Sequence, residues 1–319
     1  MEGRSGVNPN VIRTLFIMEP MAEMLRAPGF PLVEAVVQLR GRHVEKVGFC
    51  GVGDDSVELL YQVARGEVDL ATMNPAALLT AAYRGKGPFT EPMDIRVITT
   101  IPSQDWLGFF VAERTGIRSL AEIKERRYPL KVSLRGSPTN VTQLYAHEVL
   151  AAYGFSFDDI LAWGGSVIRE EVMAFHPNRY GKVRTGEIDA IIDEGIRQFI
   201  PLLDELGMRM LPIDEPVLQR MDEIGFHRAT LPRALFPNLP ADVPTLCYSG
   251  FPVYTHAGAA DELIYGYCKG LDARHTSIPY DLTGPLPLAE MCQDTPSAPR
   301  RIPLHPAAER YWREAGYLT

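Results

Sequence analysis

Apolar and polar positions along this chain fall into blocks of two kinds. Short, nearly unbroken apolar runs occupy residues 68–73, 95–102, 107–112, 130–134 and 188–192. Runs of that length, rich in Val and Ile, are the texture of strands buried on both faces. Longer stretches with helical spacing lie between or after them, at residues 55–65, 140–153, 197–206 and 307–315. Strands alternating with helices predict a parallel α/β architecture. Ser119 with Glu122 reads as a capping box, in which hydroxyl and carboxylate satisfy two helix-terminal amides reciprocally. Gly154 stands just past the 140–153 helix, where a left-handed conformation is needed to end it. From about residue 212 prolines become frequent (Pro216, Pro232, Pro237, Pro240, Pro244), and the pattern predicts an irregular connection. No internal repeat or low-complexity tract interrupts the alternation.

Composition narrows the possibilities. The chain has 319 residues, 46% hydrophobic and 23% charged, which suffices for two cores of ordinary size. A net charge of −8 excludes a sequence-independent grip on nucleic acid, which needs a basic face. The four cysteines, Cys50, Cys247, Cys268 and Cys292, form no Cys-x-x-Cys pair and have no His at metal-site spacing. No metal and no cofactor are therefore expected. The polar start Met1–Gly6 has no lysine-rich leader or Ala-x-Ala site after it, and no window reaches the ~18 apolar residues of a membrane span. The expectation is a chain without direct membrane insertion, cytoplasmic as it stands and periplasmic if a leader has been trimmed.

Two segments carry candidate chemistry. In Ser133-Leu134-Arg135-Gly136-Ser137-Pro138-Thr139-Asn140 a strand turns into a helix through small hydroxyl residues. Amides at a helix N-terminus point outward and carry roughly half a positive charge, so an anion settles there. Ser137 and Thr139 add hydroxyls, Asn140 an amide, and Arg135 a fork that matches a carboxylate. In Asp193-Glu194-Gly195-Ile196-Arg197, after the 188–192 strand, Glu194 and Arg197 are placed to line a ligand crevice. Asp193 is expected to cap the next helix. A third segment, Gly53-Asp54-Asp55-Ser56, reads mainly as a helix N-terminus. His176 and His256 are the histidines placed to face a crevice. No Gly-x-Ser-x-Gly, His-Glu-x-x-His or Gly-x-Gly-x-x-Gly occurs, so nothing positive points to nucleophilic or metal catalysis.

Six segments in order resemble the TAXI family of TRAP-transporter solute receptors. They are Ser56–Leu60 with Gly66–Ala71, Ala81-Ala82-Tyr83-Arg84-Gly85-Lys86-Gly87-Pro88-Phe89, Gly136-Ser137-Pro138-Thr139, Gly186–Ala190, Leu211–Asp214, and Pro303–Tyr311 with Arg313–Gly316. The resemblance implies a two-lobed type II periplasmic-binding-protein fold. Lobe 1 is expected at residues 1–109 and 247–319 and lobe 2 at 110–246, with a ligand cleft between them. It implies a small carboxylate ligand, an amino acid or an organic or aromatic acid, and a TRAP permease as partner. Arg135, Ser137, Thr139 and Asn140 would grip the carboxylate, and Asn74 and Glu194 would read the rest. The family's glycine-rich first loop is replaced here by Ile17–Leu25, expected to be a bulkier, apolar and acidic loop. The alternative on the same fold is a cytoplasmic decarboxylase or lyase of a carboxylic acid, with Glu19, His176, Glu194 and His256 as candidate acids and bases.

Overall fold

The computed structural model describes residues 9–26, 56–136, 138–278 and 285–318. In chain order the elements are α1 (Pro9–Arg26), α2 (Ser56–Ala64), β1 (Leu70–Thr72), α3 (Ala76–Arg84), β2 (Ile95–Ile101), β3 (Gly108–Ala112), α4 (Leu120–Glu125) and β4 (Lys131–Arg135). Next come α5 (Val141–Ala152), α6 (Phe157–Ala162), β5 (Ser166–Glu170), α7 (Pro177–Arg184), β6 (Ala190–Asp193), α8 (Leu203–Leu206) and β7 (Met208–Met210). The last are α9 (Glu215–Ile224), β8 (Arg228–Leu231), β9 (Val243–Leu246), β10 (Phe251–His256), α10 (Asp261–Arg274), α11 (Leu288–Met291) and α12 (Pro306–Glu314). The chain is α/β and divides into two compact units: Met1–Leu79 with Pro92–Ser103 and Ser249–Thr319, and Thr80–Glu91 with Gln104–Tyr248.

The first unit holds a three-stranded sheet in the order β1-β10-β2, antiparallel at both joins. Its core is built on α1, α10 and α12: Phe16, Ile17, Tyr267, Leu271 and Trp312 are buried together with Ile98 of β2. Two polar tips in that core find backbone partners, as buried aromatic donors must. Trp312 Nε1 donates to Ile98 O at 2.8 Å, and Tyr267 Oη donates to Phe16 O at 2.5 Å. Gly270 lets α10 approach α1 closely, since a Cβ there would sit 2.3 Å from Pro20 O.

The second unit holds a five-stranded sheet in the order β5-β4-β6-β3-β7. β4 runs parallel to β5 and β6, whereas β3 is antiparallel to β6 and β7. Trp106, Phe110, Ile191, Phe199 and Met208 form part of its core. A separate hairpin pairs β8 with β9. The all-parallel expectation thus holds only for β4, β5 and β6; the first unit's sheet is antiparallel, because its central strand β10 runs against both β1 and β2.

The division differs in detail from the expected 109/110 and 246/247 boundaries. Residues 104–109 belong to the second unit because β3 pairs with β6 and Trp106 packs in that core. Residues 80–91 join it as well: Arg84 Nη1 donates to Asp222 O at 2.7 Å, and Gly225 stands against the Thr80–Ala81 backbone. Tyr248 N donates to Asp105 O at 2.9 Å, which keeps residues 247–248 there too.

Other expectations are corrected. Ile17–Leu25 is not a loop: it lies within α1, with Phe16, Ile17 and Met24 turned into the core. The proline-rich stretch after residue 212 is ordered. Pro216 sits in the first turn of α9, where the missing N–H costs nothing, and Val217, Leu218, Met221 and Ile224 form that helix's buried face. Residues 197–206 form a 3-10 turn and the single-turn α8 rather than one helix. Ser119 caps α4 by accepting from Glu122 N at 3.3 Å, but Glu122 accepts from Arg118 N, one residue short of a full box. The reciprocal capping box occurs instead at Ser156 and Asp159, opening α6. Gly154 takes the expected left-handed conformation, with φ of 79°. Gly53, Asp54 and Asp55 lie outside the described residues.

Candidate functional site

The parallel strands β4, β5 and β6 end side by side, and their carboxyl ends carry charge. Arg135 closes β4 opposite Glu170 of β5. Asp193 closes β6 opposite Gly108, the first residue of β3. The chain leading into β3 therefore brings Asp105 to the same edge, and the chain leaving β9 brings Tyr248 there.

Arg135 is held on two sides. Its Nε donates to Asp193 Oδ1 at 2.9 Å, and its Nη2 pairs with Glu194 Oε1. Burial works to lower the guanidinium's pKa, but the Glu194 and Asp193 carboxylates outweigh it and raise the value. Asp193 also binds Arg179 of α7 through Oδ2, and that oxygen accepts from Ala174 N at 3.0 Å. Arg179 is fully buried, yet its donors are met: Nε donates to Ser133 Oγ at 2.9 Å, Nη1 to Val172 O at 2.9 Å and Nη2 to Ser133 O at 3.2 Å. Burial pulls this guanidinium's pKa down against the pull of Asp193. Asp193 is thus the centre of a two-arginine cluster and not the cap of the following helix; its one local bond is to its neighbour, Glu194 N, at 2.9 Å.

Asp105 completes the cluster. Its Oδ1 accepts from Trp106 N at 2.8 Å and its Oδ2 from Gly195 N at 2.8 Å. Burial, then the Glu194 charge, holds Asp105 well above the usual carboxylate range. Burial and the same Glu194 charge push the Tyr248 phenol up, so it is neutral; it lies 3.1 Å from Thr142 Oγ1 of α5.

The turn from β4 into α5 is organised as a helix entrance. Asn140 is buried, and its Oδ1 accepts from Thr142 N at 2.9 Å, an N-cap. Gln143 Nε2 donates to the carbonyls of Arg135 and Gly136, each at 2.8 Å. Gln143 Oε1 in turn accepts from Arg169 Nε at 3.1 Å, which draws an exposed guanidinium from β5 to the turn. Thr139 is exposed at this turn, and Ser137 lies outside the described residues. The edge therefore offers an anion the α5 N-terminus, with no acidic residue in its first turn, and one exposed arginine.

The remaining candidates lie elsewhere. His176 is the N-cap of α7, its Nδ1 accepting from Asn178 N at 3.2 Å. Arg197 belongs to the surface beside Trp106, with its guanidinium 5.4 Å from the ring centroid and Nε donating to Gln104 O at 3.3 Å. Asn74, Glu19 and His256 belong to the first unit. Asn74 Nδ2 donates to Gly250 O at 3.1 Å. Glu19, on α1, is ion-paired with Arg274 of α10. His256 ends β10 beside Gly66.

Sequence reasoning brought Arg135, Asn140 and Glu194 to one place and missed Asp105, Arg169, Arg179 and Tyr248. Arg179 gave no local sign, being one of three basic residues in α7 with Lys182 and Arg184. Asp105 and Tyr248 gave no sign, since their neighbours in the chain do not carry the cluster.

A family model matches residues 30–316 of the chain, and it describes the NMT1-like family. The chain belongs to the NMT1-like family. Among solved structures, this NMT1-like chain is similar to MatC from Rhodopseudomonas palustris with bound malate, at 12% identity over 98% of this chain and 94% of that one, with a TM-score of 0.43. It is also similar to a structure described as a periplasmic transporter, at 15% identity over 97% and 89% of the chains, TM-score 0.39. A third is XAC2383 from Xanthomonas citri bound to chloride ion, at 16% identity over 82% and 81%, TM-score 0.39. Among the described residues of this NMT1-like protein, no group of His, Cys, Asp or Glu is arranged to hold a metal ion. None of the described helices is long and apolar enough to cross a membrane.

Proposed function

We propose that this NMT1-like protein is a solute-binding receptor for a small carboxylate, of the TAXI type that serves a TRAP permease. The observation that carries the reading is the β4–α5 turn at the carboxyl edge of the parallel strands. A capped helix N-terminus, the exposed Thr139 and the exposed Arg169 converge there. Arg169 is the better fork for an incoming carboxylate, because two nitrogens of Arg135 already engage Asp193 and Glu194. Arg135 then serves as a buried support whose charge is balanced within the chain. Family membership over residues 30–316 and the ordered TAXI-like segments support the same reading.

The enzyme alternative has less support. Of the four candidate acids and bases, Glu19 is paired with Arg274, Glu194 with Arg135, and His176 caps a helix. The reading is tested by thermal-shift screening against amino acids, dicarboxylates and aromatic acids, with mass spectrometry of the mixtures. A ligand at about 100 times its Kd stabilises by roughly 2.7 kcal/mol. A shift with the compound recovered unchanged supports a receptor; a product lighter by carbon dioxide or water would replace it with a lyase.

A further inference from the structure

The second unit's sheet has one filled face and one with room left in it. Side chains along a strand alternate between faces. Phe110 of β3 and Ile191 of β6 belong to the core packed with Trp106, Phe199 and Phe236, where Phe110 and Phe199 meet edge to face with centroids 4.9 Å apart. Their neighbours along each strand point to the other face. There Val111 of β3 lies opposite Ala190 of β6, and Ala190 lies beside Val132 of β4. Three short side chains thus stand in one row across the centre of the sheet. The adjacent row is taller, with Phe109 opposite Ile192. Leu120 of α4, Leu150 of α5 and Ile160 of α6 cover the short row without filling it, and a cavity of about 20 Å³ remains.

Every side chain lining the cavity is apolar and at most 5% exposed. The strand backbones beneath it are paired with one another in the sheet. A water needs roughly 10–15 Å³ of room and two to four polar partners. The room is there and the partners are missing, so the cavity is dry. An apolar guest gives up no hydrogen bond on entering, and it restores the dispersion contacts that the lining atoms lack on their empty side. A cavity of about 150 Å³ takes benzene. One of about 20 Å³ is too small for an aromatic ring. We propose that this cavity is a binding site for a non-polar gas molecule of one or two heavy atoms, the class of xenon, methane and dioxygen. The proposal stands apart from the receptor reading, since the cavity lies wholly inside the second unit.

The test uses the full chain with isotope-labelled methyl groups and xenon as the probe. Methyl resonances are followed by NMR as xenon pressure rises. Those of Val111, Val132 and Ala190 should shift and saturate, while those of Ile191 and Ile196 in the filled core should change only weakly and without saturation. Val132→Ile and Ala190→Val add carbon to the short row from neighbouring strands, and each should abolish the saturable shift. Their urea midpoints should match or exceed wild type, whereas carbon added to a row already filled overpacks the core and lowers the midpoint. Because the two fillers act from different strands, one that misfolds leaves the other to decide. Benzene should give no saturable shift of the same methyls. Xenon shifts that never saturate, saturation that survives in a folded filler, or midpoints lowered in both fillers would each overturn the proposal, and saturation by benzene would overturn its limit to one or two heavy atoms.

Discussion

Arg179 and Asp193 form an ion pair in which neither side chain has any solvent exposure. Such a pair is stable only when every remaining donor and lone pair is met, and here Ser133, Val172 and Ala174 meet them. The pair fixes Asp193, which fixes Arg135, which orients Glu194 at the carboxyl edge of the sheet.

Removing one partner should therefore be severe. Arg179→Met is expected to cost about 3–5 kcal/mol, because the Asp193 carboxylate stays buried with one guanidinium fewer. Arg179→Lys should recover part of this, since a single ammonium cannot reach Ser133, Val172 and Asp193 in one plane. Urea unfolding followed by far-UV circular dichroism measures both, and an Arg179→Met midpoint equal to wild type would contradict the assignment.

Asn140 and Arg169 separate folding from binding. Asn140→Ala should destabilise by about 1 kcal/mol through loss of the α5 cap, and Asn140→Ser should restore most of it. Arg169→Met lies on the surface and should leave the unfolding midpoint within about 0.5 kcal/mol of wild type. It should nevertheless weaken carboxylate binding at least about tenfold, through loss of one charge-assisted hydrogen bond. Calorimetric titration beside thermal unfolding would show whether the two effects part in this way.

The Asp105 carboxyl makes stability depend on pH with a definite sign. Folding raises its pKa, so the folded state binds the proton more tightly than the unfolded chain. Its contribution is full below about pH 4, where the unfolded chain is protonated as well, and is lost as pH rises through the folded value. The stability difference between wild type and Asp105→Asn should accordingly shift in favour of the variant as pH rises from about 4 to about 8. At low pH the variant should be less stable by a fixed amount, because an asparagine side chain has one acceptor oxygen for the Trp106 and Gly195 amides where the carboxyl has two. A difference that does not vary with pH would show that the carboxyl does not hold its proton in the folded state.

In the first unit, Trp312→Phe should cost about 1–3 kcal/mol, because the buried Ile98 carbonyl loses its donor while most of the packing remains. Trp312→Ala should cost more, about 3–5 kcal/mol, from the cavity left between α12 and β2. Gly270→Ala should loosen the packing of α1 on α10, since the added methyl meets the Pro20 carbonyl and backbone does not yield as a side chain does. Hydrogen exchange along α1 would report that loosening directly.

Much of this protein is written locally. The β4–turn–α5 unit, the Asn140 entrance and the glycine after α5 follow from apolar runs and cap chemistry, which depend on neighbours within a turn or two. Those rules were enough to place a capped helix entrance. They failed at Ile17–Leu25, where a helix with a proline inside it reads as a loop. They failed again after residue 212, where prolines occupy permitted places in α9 and the β8–β9 region. The choice of charge partners is not local at all. Arg135 meets Asp193 and Glu194 across 58 and 59 positions, and Asp105 meets the Gly195 amide across 90. A long charged side chain pairs with whatever the sheet places beside it, and strand order decides what that is. Here β6 lies between β4 and β3, so the end of β6 meets Arg135 on one side and the Asp105 approach to β3 on the other. That arrangement, absent from any local pattern, is why Arg135 is already neutralised by Asp193 and Glu194. The pairing of β5 with β4 in turn leaves Arg169 exposed beside the turn.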